Sequence, residues 1–239
     1  MKTRTKVFII LGSILGIIII LFGVAVYKDL QIEGILENDY MTISNLIDQQ
    51  ELDKANDELN DYISTGDYLV VEKAYKNYLR SRLEHMSAIL SIIDDDRITQ
   101  VLTADNYQED GKDFVNSKAY LETAINTLKE AKTAYLNDYE DDVILSYIED
   151  EDVDSYYVEF YCQLVAMNIL SEEEKDLLDE DLEDTIVILQ KCDAILDFLI
   201  ENKDSWEVID DNIYFTTDEL ANEYNSMIED LTSDEKTAA

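Results

Sequence analysis

Apolar and polar positions follow two regimes along this chain. From Val7 to Tyr27 the run VFIILGSILGIIIILFGVAVY carries no charge, whereas from Lys28 onward apolar residues return every three or four positions among polar ones. The first regime predicts a membrane-spanning helix. Its 21 residues, at about 1.5 Å each, cover about 31 Å against a hydrocarbon layer of ~30 Å. The second regime predicts amphipathic helices that bury one face each. Within the span, Gly12, Gly16 and Gly23 fall within about 40° of one another on a 3.6-residue helix. A smooth Gly-x-x-x-Gly face lets two helix backbones approach closely, so this face is the expected surface for a homodimer in the membrane.

The amphipathic regime opens with Ile32, Leu36, Tyr40, Ile43 and Leu46, then steps in phase to Leu52, Ala55, Leu59 and Tyr62. Gly66 suits a left-handed helix cap, after which Tyr68, Val71, Tyr75, Tyr78, Leu83, Met86, Ile89 and Ile93 predict the returning arm of a helical hairpin. Residues 98–102 make one short turn, and the polar stretch 103–113 reads as the longest loop. A third helix is expected from about Ser117 to Asn137, with Leu121, Ala124, Leu128, Ala131 and Tyr135 inward. The acidic stretch 138–154 contains a short helix, and Tyr156, Tyr157, Phe160 and Tyr161 open the next one. Ser171 followed by Glu174 is a capping box, and it starts a long helix with Leu178, Leu182, Leu189, Cys192, Leu196 and Leu199 inward at heptad-like, coiled-coil steps. Residues 205–215 change character: aromatic and β-branched positions flank Asp210-Asp211-Asn212, which predicts a small extended or hairpin insertion. Thr216 with Glu219 caps a last helix through Leu231, and 232–239 reads as a flexible tail. The expected fold is therefore all-α: a single transmembrane helix at 7–27, then an antiparallel bundle of about six helices over 28–231, forming one domain.

Composition sharpens this picture. Proline is absent and glycine numbers only 6, as suits a chain built for helices. All 55 carboxylates follow the span, while Lys2, Arg4 and Lys6 precede it, and the net charge is −37. A basic head resists translocation, so residues 1–6 are expected in the cytoplasm and the acidic domain outside it, as a single-pass signal-anchor protein of the cell membrane. A cleaved secretory signal is the competing reading, with Gly23 and Ala25 near the cleavage position, but the apolar run exceeds the ~7–15 residues usual for such a signal. The short basic head and cysteine poverty have a bacterial rather than an animal character. So negative a surface excludes nucleic-acid binding, which needs clustered Lys and Arg, and favours a protein or cationic partner.

Candidate chemistry is sparse. Gly111 could take the sixth position of a calcium loop with Asn106, Gln108 and Asp110 at positions one, three and five, but Ser117 stands where a bidentate carboxylate is required, so no metal is expected. The single histidine, His85, has no second histidine or cysteine near it in sequence. Cys162 and Cys192 are expected to be buried thiols, because folding back at Ser171 would leave them about 18 Å apart along the helices. Neither a nucleophile elbow nor a phosphate-binding glycine loop appears, so neither enzymatic activity nor a cofactor is expected. Tyr156, Tyr157, Phe160 and Tyr161 are the candidates for a ligand cleft, since rings at helical spacing can hold a sugar or a cation. Two functions fit. The first is a non-enzymatic interaction or scaffold module outside the membrane; the second is a ligand- or cation-sensing ectodomain, which with six residues inside would need a separate membrane partner to signal.

Overall fold

The structure is a computed structural model that describes residues 29–149, 151–210 and 212–235. The span expected at 7–27 and the basic head lie outside the described residues. Among the described residues no helix is long and apolar enough to cross a membrane. The described chain is mostly helical, with one small hairpin, and it packs as two compact units. One takes residues up to Arg80 together with Ile144–Asn168, and the other takes Ser81–Val143 together with the chain from Ile169.

In the first unit, helix α1 (29–48) buries Leu36, Tyr40, Ile43 and Ile47 at spacings of four, three and four. The phase step after Leu46 is a real break: Gln50 adopts a left-handed φ of 61°, and the chain restarts as α2 (Leu52–Leu59) with Ala55 and Leu59 inward. The expected first arm is thus two helices rather than one. Gly66 is left-handed (φ 66°), but it does not end a helix as expected. Residues 61–65 are non-helical, and Gly66 turns that segment into α3 (Asp67–Ile93), of which 67–80 belong to this unit. Two further helices follow, α7 (Asp141–Ser146), which belongs to this unit from Ile144, and α8 (Ser155–Ala166), opened by Asp154, whose carboxylate accepts from the Tyr156 amide. Tyrosines build much of this core. Tyr40 meets Tyr75 edge-on at 5.8 Å, Tyr78 meets Tyr147 at 5.9 Å, and the buried Tyr161 hydroxyl donates to the Ile144 carbonyl at 2.8 Å. Each ring contributes apolar area and the hydroxyls of Tyr40 and Tyr161 reach backbone carbonyls, which is how an interior can carry so many tyrosines.

Two ionisable side chains are fully buried in the same unit. Glu72 and Lys76, one helical turn apart on α3, are each 0% exposed. The Glu72 carboxylate accepts from the Ile63 and Ser64 amides, each at 2.9 Å, and from the Ser64 hydroxyl at 2.5 Å. Lys76 lies 3.2 Å from Glu72 and 3.0 Å from Asp39, and it also donates to the carbonyls of Glu58 and Asp61. Together they strap the 61–65 segment to α3. Burial pushes the Glu72 pKa up, but the bonds from Ser64, Ile63 and Lys76 outweigh it and hold the group below its ordinary value. A carboxyl depressed in the folded state stabilises the fold above its unfolded pKa, and that contribution is lost as pH falls through the folded value. Melting temperature should therefore drop between about pH 5 and about pH 3, with a shallower slope in Glu72→Gln. Parallel slopes in thermal melts of the two proteins would contradict this.

The second unit holds residues 81–93 of α3, then α4 (Arg97–Gln100), α5 (Ala104–Glu109), α6 (Val115–Asn137) and the start of α7, followed by α9 (Glu172–Glu201), strands β1 (Trp206–Ile209) and β2 (Asn212–Phe215), and α10 (Asp218–Glu235). Both α6 and α10 pack on α9, burying Leu121, Leu128, Leu189, Leu196 and Leu199 in one apolar cluster. The stretch expected to be the longest loop contains α5, capped by the Thr103 hydroxyl, because Tyr107 turns inward to join the core. The acidic run resembling a calcium loop also has another use: Asp110 accepts from the amides of Asn116 (3.1 Å) and Ser117 (2.8 Å), satisfying the first turn of α6. The insertion expected at 205–215 is an antiparallel hairpin pairing Trp206 with Phe215 and Ile209 with Asn212. The following cap is Thr217, whose hydroxyl accepts from Leu220, rather than Thr216, which instead extends the hairpin by donating its amide to Ser205.

Candidate docking surface

The long helix α9 is set by its first residues. The Ser171 hydroxyl accepts from the Glu174 amide, and Glu174 accepts from the Ser171 amide at 2.8 Å, so both halves of the capping box form. The hydrogen bonds from the Ser171 hydroxyl and amide hold the Glu174 carboxyl below its ordinary pKa. From this fixed start, Leu182, Ile186 and Leu189 are buried. At 100° per residue the opposite face carries Glu173, Leu177, Glu180 and Asp184 within about 60° of one another. All four are exposed, and Leu177 is 55% exposed.

Lysines neutralise the flanks of this face and leave the face itself negative. Lys132 of α6 reaches Asp179 at 3.0 Å and Glu183 at 2.7 Å, and Lys175 reaches Glu172 at 2.9 Å and Glu140 at 3.7 Å. Further along, Lys118 bridges Asp193 at 2.8 Å and Asp197 at 2.6 Å. Partial burial lowers the pKa of Lys118 and Lys132, but their paired carboxylates more than reverse it, so both remain charged more firmly than a free lysine. Such surface pairs add little stability individually. Their consequence is spatial, because Glu173, Glu180 and Asp184 form no ion pair among the described residues. The result is a stripe of uncompensated carboxylates around one exposed leucine, on a helix packed along its other side.

The four tyrosine and phenylalanine candidates differ in burial. Phe160 and Tyr161 are buried in the core of the first unit, whereas Tyr156 is 46% exposed. Tyr156 and Tyr157 meet edge-on at 5.4 Å, and Tyr68 packs against both Tyr157 and Phe160. The hydroxyls of Tyr68 and Tyr156 both donate to Glu33, so the polar ends of this cluster are held within the unit. Gly12, Gly16 and Gly23 lie outside the described residues. Cys162 is half-buried and Cys192 buried, and no disulfide joins them.

His85 has a partner that its sequence neighbourhood did not reveal. Its Nδ1 lies 2.7 Å from the Asp138 carboxylate, which also accepts from the Ser81 hydroxyl at 3.1 Å. Burial raises the Asp138 pKa, and the bonds from His85 and Ser81 oppose that rise. Serine, histidine and aspartate meet, but both Ser81 and His85 address the aspartate. A serine nucleophile needs its proton taken by the imidazole, so this arrangement joins α3 to the end of α6 instead of activating Ser81. Among the described residues no group of three or more His, Cys, Asp or Glu is placed to hold a metal ion. In comparisons with known proteins, no family model, curated protein or solved structure matches the chain.

Proposed function

We propose that this protein is a non-enzymatic interaction module, anchored in the cell membrane through residues 7–27, whose acidic helical part docks a basic protein segment outside the cytoplasm. The observation that carries the reading is the α9 stripe, where Glu173, Glu180 and Asp184 surround the exposed Leu177 while neighbouring carboxylates are matched by lysines. Charge steers and orients an encounter, and a central apolar anchor gives it residence time. A partner complementary to this stripe presents lysines or arginines around a small apolar hollow. The sensing alternative draws less support, because Phe160 and Tyr161 belong to a packed core.

The test is a photo-crosslinking residue at position 177 of the full-length chain in its native membranes. One discrete partner band is expected, absent at high salt and absent in Glu173→Gln/Glu180→Gln/Asp184→Asn. No band above background at 177, or a band indifferent to the three neutralisations, would overturn the docking surface.

A further inference from the structure

The base of the β1–β2 hairpin and Lys112 line an open pocket of about 340 Å³. It shares no residue with the α9 stripe. Its cation is placed by a turn: Gly111 takes a left-handed φ of 75° and turns the chain after α5, so that Lys112 reaches back over the hairpin. The Lys112 ammonium donates to the carbonyls of Lys203 (2.6 Å) and Trp206 (2.5 Å) and lies 4.7 Å from the centre of the Trp206 ring. Lys118, Lys132, Lys175 and Lys203 all reach carboxylates, whereas among the described residues Lys112 reaches only neutral acceptors. Two of its three donors are used, leaving one N–H for a ligand in the pocket that Lys112 lines. The same pocket is lined by Asp204 and Glu207, neither of them salt-bridged to a described residue, and by Trp206, Phe215 and Tyr214, of which Trp206 keeps its ring buried. Tyr214, paired across the strands with Glu207, is 52% exposed.

We propose that this pocket binds a zwitterionic α-amino acid with a large apolar side chain. The carboxylate meets Lys112, the ammonium meets Asp204 or Glu207, and the side chain lies on the exposed Tyr214 ring. Charge decides among ligand classes. A net charge of −37 and two lining carboxylates repel a phosphate-like anion, and Lys112 repels a simple cation. A neutral apolar molecule would strip water from three charges and replace none of their bonds. A zwitterion has no net charge to be repelled and offers each lining charge its opposite. The volume is at the small end of the ~300–1,000 Å³ range of ligand pockets, which suits a single amino acid.

The chain contains one tryptophan, and it is Trp206, so intrinsic tryptophan emission reports this pocket directly. Full-length protein in detergent is titrated with L-leucine, with leucinamide, which lacks the carboxylate, with 4-methylpentanoate, which lacks the ammonium, and with inorganic phosphate. A saturable emission change is expected with L-leucine at millimolar concentration, with affinity for the other three weaker by about tenfold or more. Lys112→Met should weaken L-leucine binding by a similar factor, and Asp204→Asn/Glu207→Gln, at two exposed positions, should do the same if Lys112→Met folds poorly. The inference is overturned if L-leucine gives no saturable change, if the two truncated analogues bind as well as L-leucine, or if phosphate binds more tightly.

Discussion

Lys76→Met is expected to destabilise the first unit by about 3–5 kcal/mol, because it leaves the buried Glu72 and the nearby Asp39 without their counter-charge. The methionine has nearly the volume of the lysine stem, so the loss reports charge and hydrogen bonding rather than a cavity. The carbonyls of Glu58 and Asp61 lose a donor in the same step. Urea unfolding followed by circular dichroism measures the total. Hydrogen exchange at the Ile63 and Ser64 amides, which Glu72 accepts, locates it. Protection of those two amides should fall furthest. The double variant Lys76→Met/Glu72→Gln should recover part of the loss, since the buried Glu72 charge is then gone as well. A loss below about 1 kcal/mol for Lys76→Met alone would show that the pair is not the strap described above.

Trp206→Ala is expected to cost the second unit about 3–5 kcal/mol. The indole is buried, stacks on Phe114 with ring centres 5.9 Å apart and planes 11° from parallel, and meets Tyr107 at 6.0 Å. Its N–H donates to the Leu199 carbonyl at 2.8 Å, near the end of α9. Removing the ring opens a cavity at the place where α5, α9 and β1 meet, and leaves that carbonyl without its donor. Trp206→Phe should keep most of the packing while still losing the bond to Leu199, costing about 1–3 kcal/mol. Thermal melts followed by far-ultraviolet circular dichroism compare the two without relying on tryptophan emission. Equal losses in both variants would mean that the hydrogen bond, not the ring, carries the contribution.

Much of the local architecture was legible because it depends on neighbours in sequence. The spacing of Leu36, Tyr40 and Ile43 specifies a buried helical face, although Ile47 rather than Leu46 completes it; Ser171 and Glu174 specify a helix start, and the aromatic and β-branched residues around Asp210 specify a hairpin. The phase step after Leu46 was visible too, although the left-handed Gln50 that produces it was not, because a glutamine carries no signal for that conformation. The helix hidden in the 103–113 stretch escaped for a different reason. Its polar residues outnumber Tyr107, and only the core formed with Phe114, Trp206 and Tyr224 makes one inward ring sufficient.

The candidate sites divide in the same way. The periodicity of α9 already separates its buried leucines from Glu173, Leu177, Glu180 and Asp184. Apart from the Lys175–Glu172 pair within α9, which carboxylates remain uncompensated was decided by lysines arriving from α6, at sequence separations no helical spacing can supply. The junction of His85 with Asp138, the burial of Phe160 and Tyr161, and the pocket joining Lys112 to Trp206 are likewise contacts between distant segments. By itself the sequence determined helical periodicity, the Ser171–Glu174 cap, the hairpin, the acidic charge and the apolar run at 7–27, since each follows from residue type and spacing along one element. Tertiary structure alone decided which charges were buried and paired and which side chains converged, because those depend on where the elements meet in space.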